Sequence, residues 1–229
     1  KQVSSGGELY VPGFGGVPFV DHASTKVVAR AALESFLVFV FIYANNDEEL
    51  SEFRHMVWKY AGLLDRQKFP ATKIENKIKL EEEKLILEEY KEKFEKTEYF
   101  SEYSEGQKKK IIRGDWRSGV GWVDIGVSAG LNETYIRSTY NYLCGYSHSG
   151  YLSVLQIKQA KSLEDQKALG DAIVGIGTVI LAHFIKAYVQ LFDEAAAVFL
   201  GLEDAQKAVD LWAISDKNFS NFYDGEFDE

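Results

Sequence analysis

Proline is almost absent from the body of this chain. Of its three prolines, Pro12 and Pro18 lie near the start and only Pro70 lies beyond them. A proline inside a helix removes a hydrogen bond and clashes with the preceding turn, so long stretches here are free to be helical. No run shows sustained apolar/polar alternation of period two, the mark of a half-buried strand. The expectation is an all-α protein. It is a single helical bundle of about six to eight helices over 21–215, with an irregular glycine-rich arm at 1–20 and an acidic tail at 216–229.

Local signals place the helices. One is predicted from Asp21 or Ser24 to Ala44, apolar on almost every side and therefore central. Asn46 or Asp47 can cap the next, over 48–67. Thr72 with Glu75 reads as a capping box for a long Lys/Glu-rich helix over 73–96, whose thin apolar stripe breaks before the heptads a coiled coil needs. That helix is either a solvated element leaning on its neighbour or a partner-binding arm. Ser104 should cap 105–112. A short apolar helix at 122–129 should end at Gly130, and Asn132 should cap the helix after it. The segment 149–160 is ambiguous. Ser162 with Asp165 opens a long apolar helix read as running to Phe199 and stopped by Gly201, before a last helix at 203–214.

Charge and thiol content narrow the setting. The net charge is −9 and the isoelectric point is near 5.1. A chain this acidic does not carry a general nucleic-acid surface, although a local basic patch is compatible with it. The lone Cys144 rules out an internal disulfide framework and fits a reducing compartment, so a cytoplasmic location is expected. The two most apolar stretches, Ser35 to Asn46 and Ala172 to Ile185, are shorter than the roughly 20 residues that cross a bilayer, so both read as core helices and no membrane partner is expected. The first residue is Lys1, with no secretory leader in view, and the start is read as trimmed.

Chemistry concentrates at Tyr140-Asn141-Tyr142-Leu143-Cys144-Gly145-Tyr146-Ser147-His148. Tyr140, Cys144, Ser147 and His148 stand at i, i+4, i+7 and i+8, one helical face if the helix continues through Gly145. If Gly145 ends the helix, His148 lies on the cap loop. Far upstream, Arg30 and Glu34 interrupt an apolar helix one turn apart, and charge there is costly unless paired. His148 is the candidate acid/base, Arg30 the candidate binder of an anionic group, and Glu34 and Tyr140 the groups that position them. Each has a plain structural alternative: a histidine holding a helix end, and a self-contained ion pair. Cys144 beside His148 is either a nucleophile or a small apolar residue.

A basic run with Lys108, Lys109, Lys110, Arg113 and Arg117 surrounds Trp116. Cations with an interleaved aromatic suit a nucleotide or single-stranded nucleic acid, whereas the plain reading is a solvated helix end with an anchoring indole. Arg113, Trp116 and Arg117, with Asn141, Cys144 and Ser147, are the candidate substrate-binding residues. The four histidines are scattered, with no HExxH or CxxC pair and no phosphate-binding glycine loop, so no metal and no cofactor is expected.

The order Arg30-x3-Glu34, then Asp115-Trp116, then Tyr140-x2-Leu143-Cys144-x3-His148 resembles an uncharacterised bacterial all-helical family known only as a domain of unknown function. The resemblance spans roughly 21–200. Its members carry Ser where this chain has Cys144. A more distant resemblance is to HEPN helical bundles, many of which are ribonucleases of toxin or phage-defence systems. Those place an Arg, then four to six intervening residues, then a His on one helix. Here Asn141 stands at the matching place, Arg137 is too far ahead of His148, and Arg30 would have to supply the cation from another helix.

Two functions follow as expectations. In the first, the chain is a HEPN-like enzyme acting on RNA or a nucleotide, with His148 as acid/base and Arg30 stabilising phosphate charge. In the second, it is a non-catalytic interaction or small-molecule-binding protein, with a homodimer as its expected assembly and the polar cluster purely structural. A working site predicts that Arg30, Glu34, Tyr140 and His148 converge on open space; a structural one predicts that they are buried and mutually satisfied.

Overall fold

A computed structural model describes residues 7–13, 15–216 and 219. Eleven helices and one two-stranded sheet are found among them, which establishes the all-α class. The chain divides into two compact units, residues 1–38 with 122–229 and residues 39–121.

The first unit begins with β1 (Gly7–Val11) and β2 (Gly15–Phe19), an antiparallel hairpin in which Leu9 pairs with Val17. An irregular arm was the expectation here. Pairing needs no alternation of side chains when the turn itself is favourable, and Gly13 and Gly15 both take positive φ, at 87° and 80°, which other residues rarely do. Helix α1 (His22–Tyr43) follows, close to the predicted 21–44, with Leu33, Phe36 and Leu37 buried.

After the second unit's helices the chain returns with α6 (Trp122–Ser128), α7 (Glu133–Ser147), α8 (Tyr151–Gln159), α9 (Leu163–Leu191), α10 (Asp193–Leu200) and α11 (Glu203–Trp212). Gly126 lets α6 approach α7 closely, since a Cβ there would fall 2.5 Å from Ile136 Cγ1. The Asn132 side chain accepts from Tyr135 N at 2.9 Å, the predicted cap. It also donates to Asp216 at 2.8 Å. Asn132→Ala is expected to cost about 1 kcal/mol of stability by chemical denaturation, the usual value of a lost N-cap. Ser162 and Asp165 stand at the predicted helix start and form a reciprocal capping box there.

The long apolar helix differs from expectation. It breaks at Phe192, whose extended backbone (φ −129°, ψ 108°) separates α9 from α10. No proline or glycine marks the break; the acidic pair Asp193 and Glu194 begins a new first turn, where negative charge is favoured. Among the described residues α9 is the one helix long and apolar enough to cross a membrane by length and composition. It outgrows the apolar stretch seen in sequence because its ends are amphipathic. It is also less of a core helix than predicted: a third of its most apolar window is buried, and Val174, Leu181 and Tyr188 are exposed.

The second unit holds α2 (Glu48–Arg66), α3 (Ile74–Glu95), α4 (Glu98–Glu102) and α5 (Glu105–Ile112). Asp47 caps α2 through Leu50 N at 2.9 Å, and Ser104 with Gln107 boxes α5. Lys73, not Thr72, is the cap residue of α3, and no side chain bonds the helix start there, so the predicted Thr72–Glu75 box is absent. The core gathers Phe53, Val57, Tyr60, Leu87, Phe94, Phe100 and Ile111. Tyr60 meets Phe94 edge-on at 5.2 Å, and its hydroxyl donates to Ile112 O at 3.1 Å. On charged α3 only Glu83, Leu87 and Phe94 are buried. Glu83 is tolerated because Arg66 binds it through both Nε and Nη2. The rest of the helix carries solvent-exposed pairs such as Glu89–Lys93 and Glu92–Lys96, which fits a solvated element.

Candidate functional site

Helix α7 runs unbroken through Gly145, so the face predicted from its spacing exists. Tyr140 and Cys144 are half-buried on it. His148 is the C-cap residue, exposed at the helix end, with its N–H donating to Cys144 O at 3.0 Å. The chain then turns through Ser149, at a positive φ of 53°, and Gly150 N donates to Gly145 O at 2.7 Å.

Arg30 is the hub. Its Nη1 lies 2.8 Å from His148 Nε2, its Nε donates to Glu34 Oε1 at 3.0 Å, and its Nη2 donates to the Tyr140 hydroxyl at 3.5 Å. Tyr140 closes the ring by donating to Glu34 Oε1 at 3.1 Å. The Arg30 and Glu34 side chains retain 16% and 29% of their exposure. A guanidinium only donates, so Nε2 must be the accepting nitrogen of His148 and the ring proton resides on Nδ1. Sequence spacing thus located four side chains that do converge. They are mutually bonded, yet the cluster is not sealed, because His148 stands at solvent.

Electrostatics hold the protonation states. Burial works against charge on Arg30, but the Tyr140 bond and the fields of Glu34 and Cys144 keep the guanidinium above its ordinary value. Burial, aided by Cys144 and Glu34 and opposed by Arg30, pushes the Tyr140 phenol up to about 12, so it stays a donor across the physiological range.

The remaining candidates lie outside this four-residue ring. Asn141 is exposed beside the cluster, and the Ser147 hydroxyl bonds back to Leu143 O at 3.3 Å within its own helix. Arg137 pairs with Glu133 at 2.5 Å on the surface of α7. Arg113, Trp116 and Arg117 belong to the second unit. Arg113 is the C-cap of α5, Trp116 meets Phe41 edge-on at 5.6 Å, and Arg117 donates to Val120 O at 2.8 Å. Among the described residues no group of three or more His, Cys, Asp or Glu is placed to hold a metal ion.

Sequence reading missed a neighbouring pair. Lys26 is fully buried, and its Nζ lies 2.9 Å from Nδ1 of buried His22 and 4.4 Å from the centre of the Tyr146 ring. Burial brings the Lys26 amine down to about 8. Burial, reinforced by Lys26, also lowers His22. The signal was present: His22, Lys26, Arg30 and Glu34 recur every four residues, one continuous polar stripe on α1.

A bundle in which one helix carries this stripe and a second answers it with Tyr140 and His148 defines a class: all-helical proteins with an Arg–Glu–Tyr–His cluster at a helix end. The chain belongs to the family of unknown function DUF5677, which matches residues 20–165. The match takes in every member of the cluster and ends at the start of α9, short of the limit near 200 expected from the motifs. Searches of curated proteins and of solved structures returned no match.

Proposed function

We propose that the cluster is the active site of a HEPN-like ribonuclease, with His148 as general base and Arg30 as the group that binds phosphate. The observation that carries this is the exposed His148 Nε2 held 2.8 Å from a guanidinium that Glu34 and Tyr140 already orient. At rest Arg30 occupies the histidine's lone pair. An anionic phosphate oxygen is a stronger acceptor than a neutral imidazole, so substrate binding draws Nη1 away and frees Nε2. The freed nitrogen takes the proton of a ribose 2′-hydroxyl, and the 2′-oxygen bonds to the adjacent phosphorus. The P–O5′ bond then breaks, the leaving oxygen takes a proton from water, and the hydroxide so formed takes back the proton that His148 gained. Arg30 offsets charge that grows on the phosphoryl oxygens in the transition state.

Single-stranded RNA incubated with the full chain should yield 2′,3′-cyclic phosphate and 5′-hydroxyl ends, while the same sequence with 2′-deoxyribose should remain intact. Equal cleavage of both would sink the mechanism. The second reading, a non-catalytic interaction or small-molecule-binding protein with a structural cluster, draws support from the mutual bonding of its four side chains; it requires that neither substrate is cut. The enzyme reading brings with it a cytoplasmic, bacterial setting and a toxin or phage-defence role, and the second reading a homodimer.

A further inference from the structure

The second unit contains a separate concavity of about 690 Å³ on α2, in which aromatic and cationic side chains stand beside the aliphatic Ala61, Leu63 and Ile86. Its lining includes Trp58, Lys59 and Gly62 of α2, Tyr90 of α3, and Trp116. Three features make it more than a gap between helices. Gly62 sits in the interior of α2, where glycine weakens a helix, and a Cβ there would meet nothing within 4 Å. Its bare backbone leaves the floor open. Gly114, at a φ of 96°, brings the loop after α5 against α2, where a Cβ would fall 3.4 Å from Leu64 Cδ2. That approach sets Trp116 at the rim. Trp58 remains 40% exposed, with its ring 6.0 Å from His55.

The charges differ in availability. Arg66, also in the lining, is committed to Glu83, and Asp65 to Lys68. Among the described residues Lys59 is in no ion pair. The groove therefore offers indole faces and one uncommitted ammonium, in a volume within the range of small-molecule sites.

We propose that this groove binds a single nucleotide, its base stacked on the indoles of Trp58 and Trp116 and its phosphate on Lys59. Base–aromatic stacking supplies affinity without sequence preference, and the ammonium selects for the phosphate. A partner helix would present an apolar stripe and leave Lys59 unanswered, so the charge favours a nucleotide. The inference is independent of the His148 site, and its test reads binding, not cleavage.

Tryptophan fluorescence of the full chain would be titrated with AMP, adenosine and inorganic phosphate. AMP should quench saturably, adenosine should bind about tenfold more weakly, and phosphate alone should leave the emission unchanged. Lys59→Ala should bring AMP down to the adenosine level. Gly62→Leu should fill the floor and abolish quenching, while Gly62→Ala, with helix propensity in its favour, should raise the melting temperature and verify that the helix tolerates a side chain there. Trp58→Phe should remove most of the quenching signal. Absence of saturable quenching at millimolar AMP would overturn the proposal. So would unchanged quenching in Gly62→Leu, or equal affinity for AMP and adenosine.

Discussion

Replacing His148 by alanine is expected to lower RNA cleavage by about 10²- to 10⁴-fold, the usual worth of a positioned general base. The fold should not suffer, because His148 is exposed at the end of α7 and the backbone N–H that caps the helix does not depend on the side chain. A melting temperature close to wild type would accompany the loss. Arg30→Lys separates the two duties of its neighbour: lysine keeps the charge but cannot reach His148, Glu34 and Tyr140 at once with a planar fork. It should fall between wild type and Arg30→Ala, the latter losing about 10²- to 10³-fold. The outcome that rejects the catalytic reading is a His148→Ala protein that cleaves RNA at the wild-type rate.

A comparable effect on stability is expected from Lys26. In the unfolded chain this amine is protonated up to about pH 10.5, but in the folded protein only up to about 8. Between those values the unfolded state binds the extra proton, so folding stability rises with pH through that window. Below about pH 8 the full cost of burying the ammonium is present, roughly 3 kcal/mol from the separation of the two values. The bond to His22 and the Tyr146 ring offset part of it. Lys26→Met should therefore be more stable than wild type near neutral pH by about 1–3 kcal/mol, with His22 left unpaired as a partial penalty. Urea midpoints of the two proteins should converge as pH rises from about 7 to about 10, and a gap that stays constant over that range would show that Lys26 carries no such cost.

The sequence was most legible where a local rule decides the structure. Asn132, Ser104 and Ser162 act within three residues of themselves, and each caps the helix expected of it. The cluster was readable for a similar reason: charge at Arg30 and Glu34 inside an apolar helix demands a partner, and an answering polar face existed at Tyr140 and His148. Lys26 escaped notice because a lysine in the first turns of a helix ordinarily reaches water. Its burial is decided by Tyr142 and Tyr146, distant in sequence, whose rings lie 5.7 and 4.4 Å from Nζ. The break at Phe192 depends on backbone geometry that no breaker residue announces, whereas the pairing of residues 7–11 with 15–19 is marked by the glycines of its turn but by no alternation in the strands themselves.

His148 stands at the joint between α7 and α8, not on a helix shaft, while Arg30 belongs to α1. The joint is tight: Gly150 donates to Gly145 O, Ser153 Oγ donates to the same carbonyl at 2.8 Å, and a Cβ on Gly150 would lie 3.3 Å from Gly145 Cα. Backbone contact between the two glycines leaves no room for a side chain, so the turn that sets His148 at the end of α7 is fixed by backbone packing. The place of the imidazole opposite Arg30 is thus tied to a joint whose far side, α8, contributes no residue to the cluster.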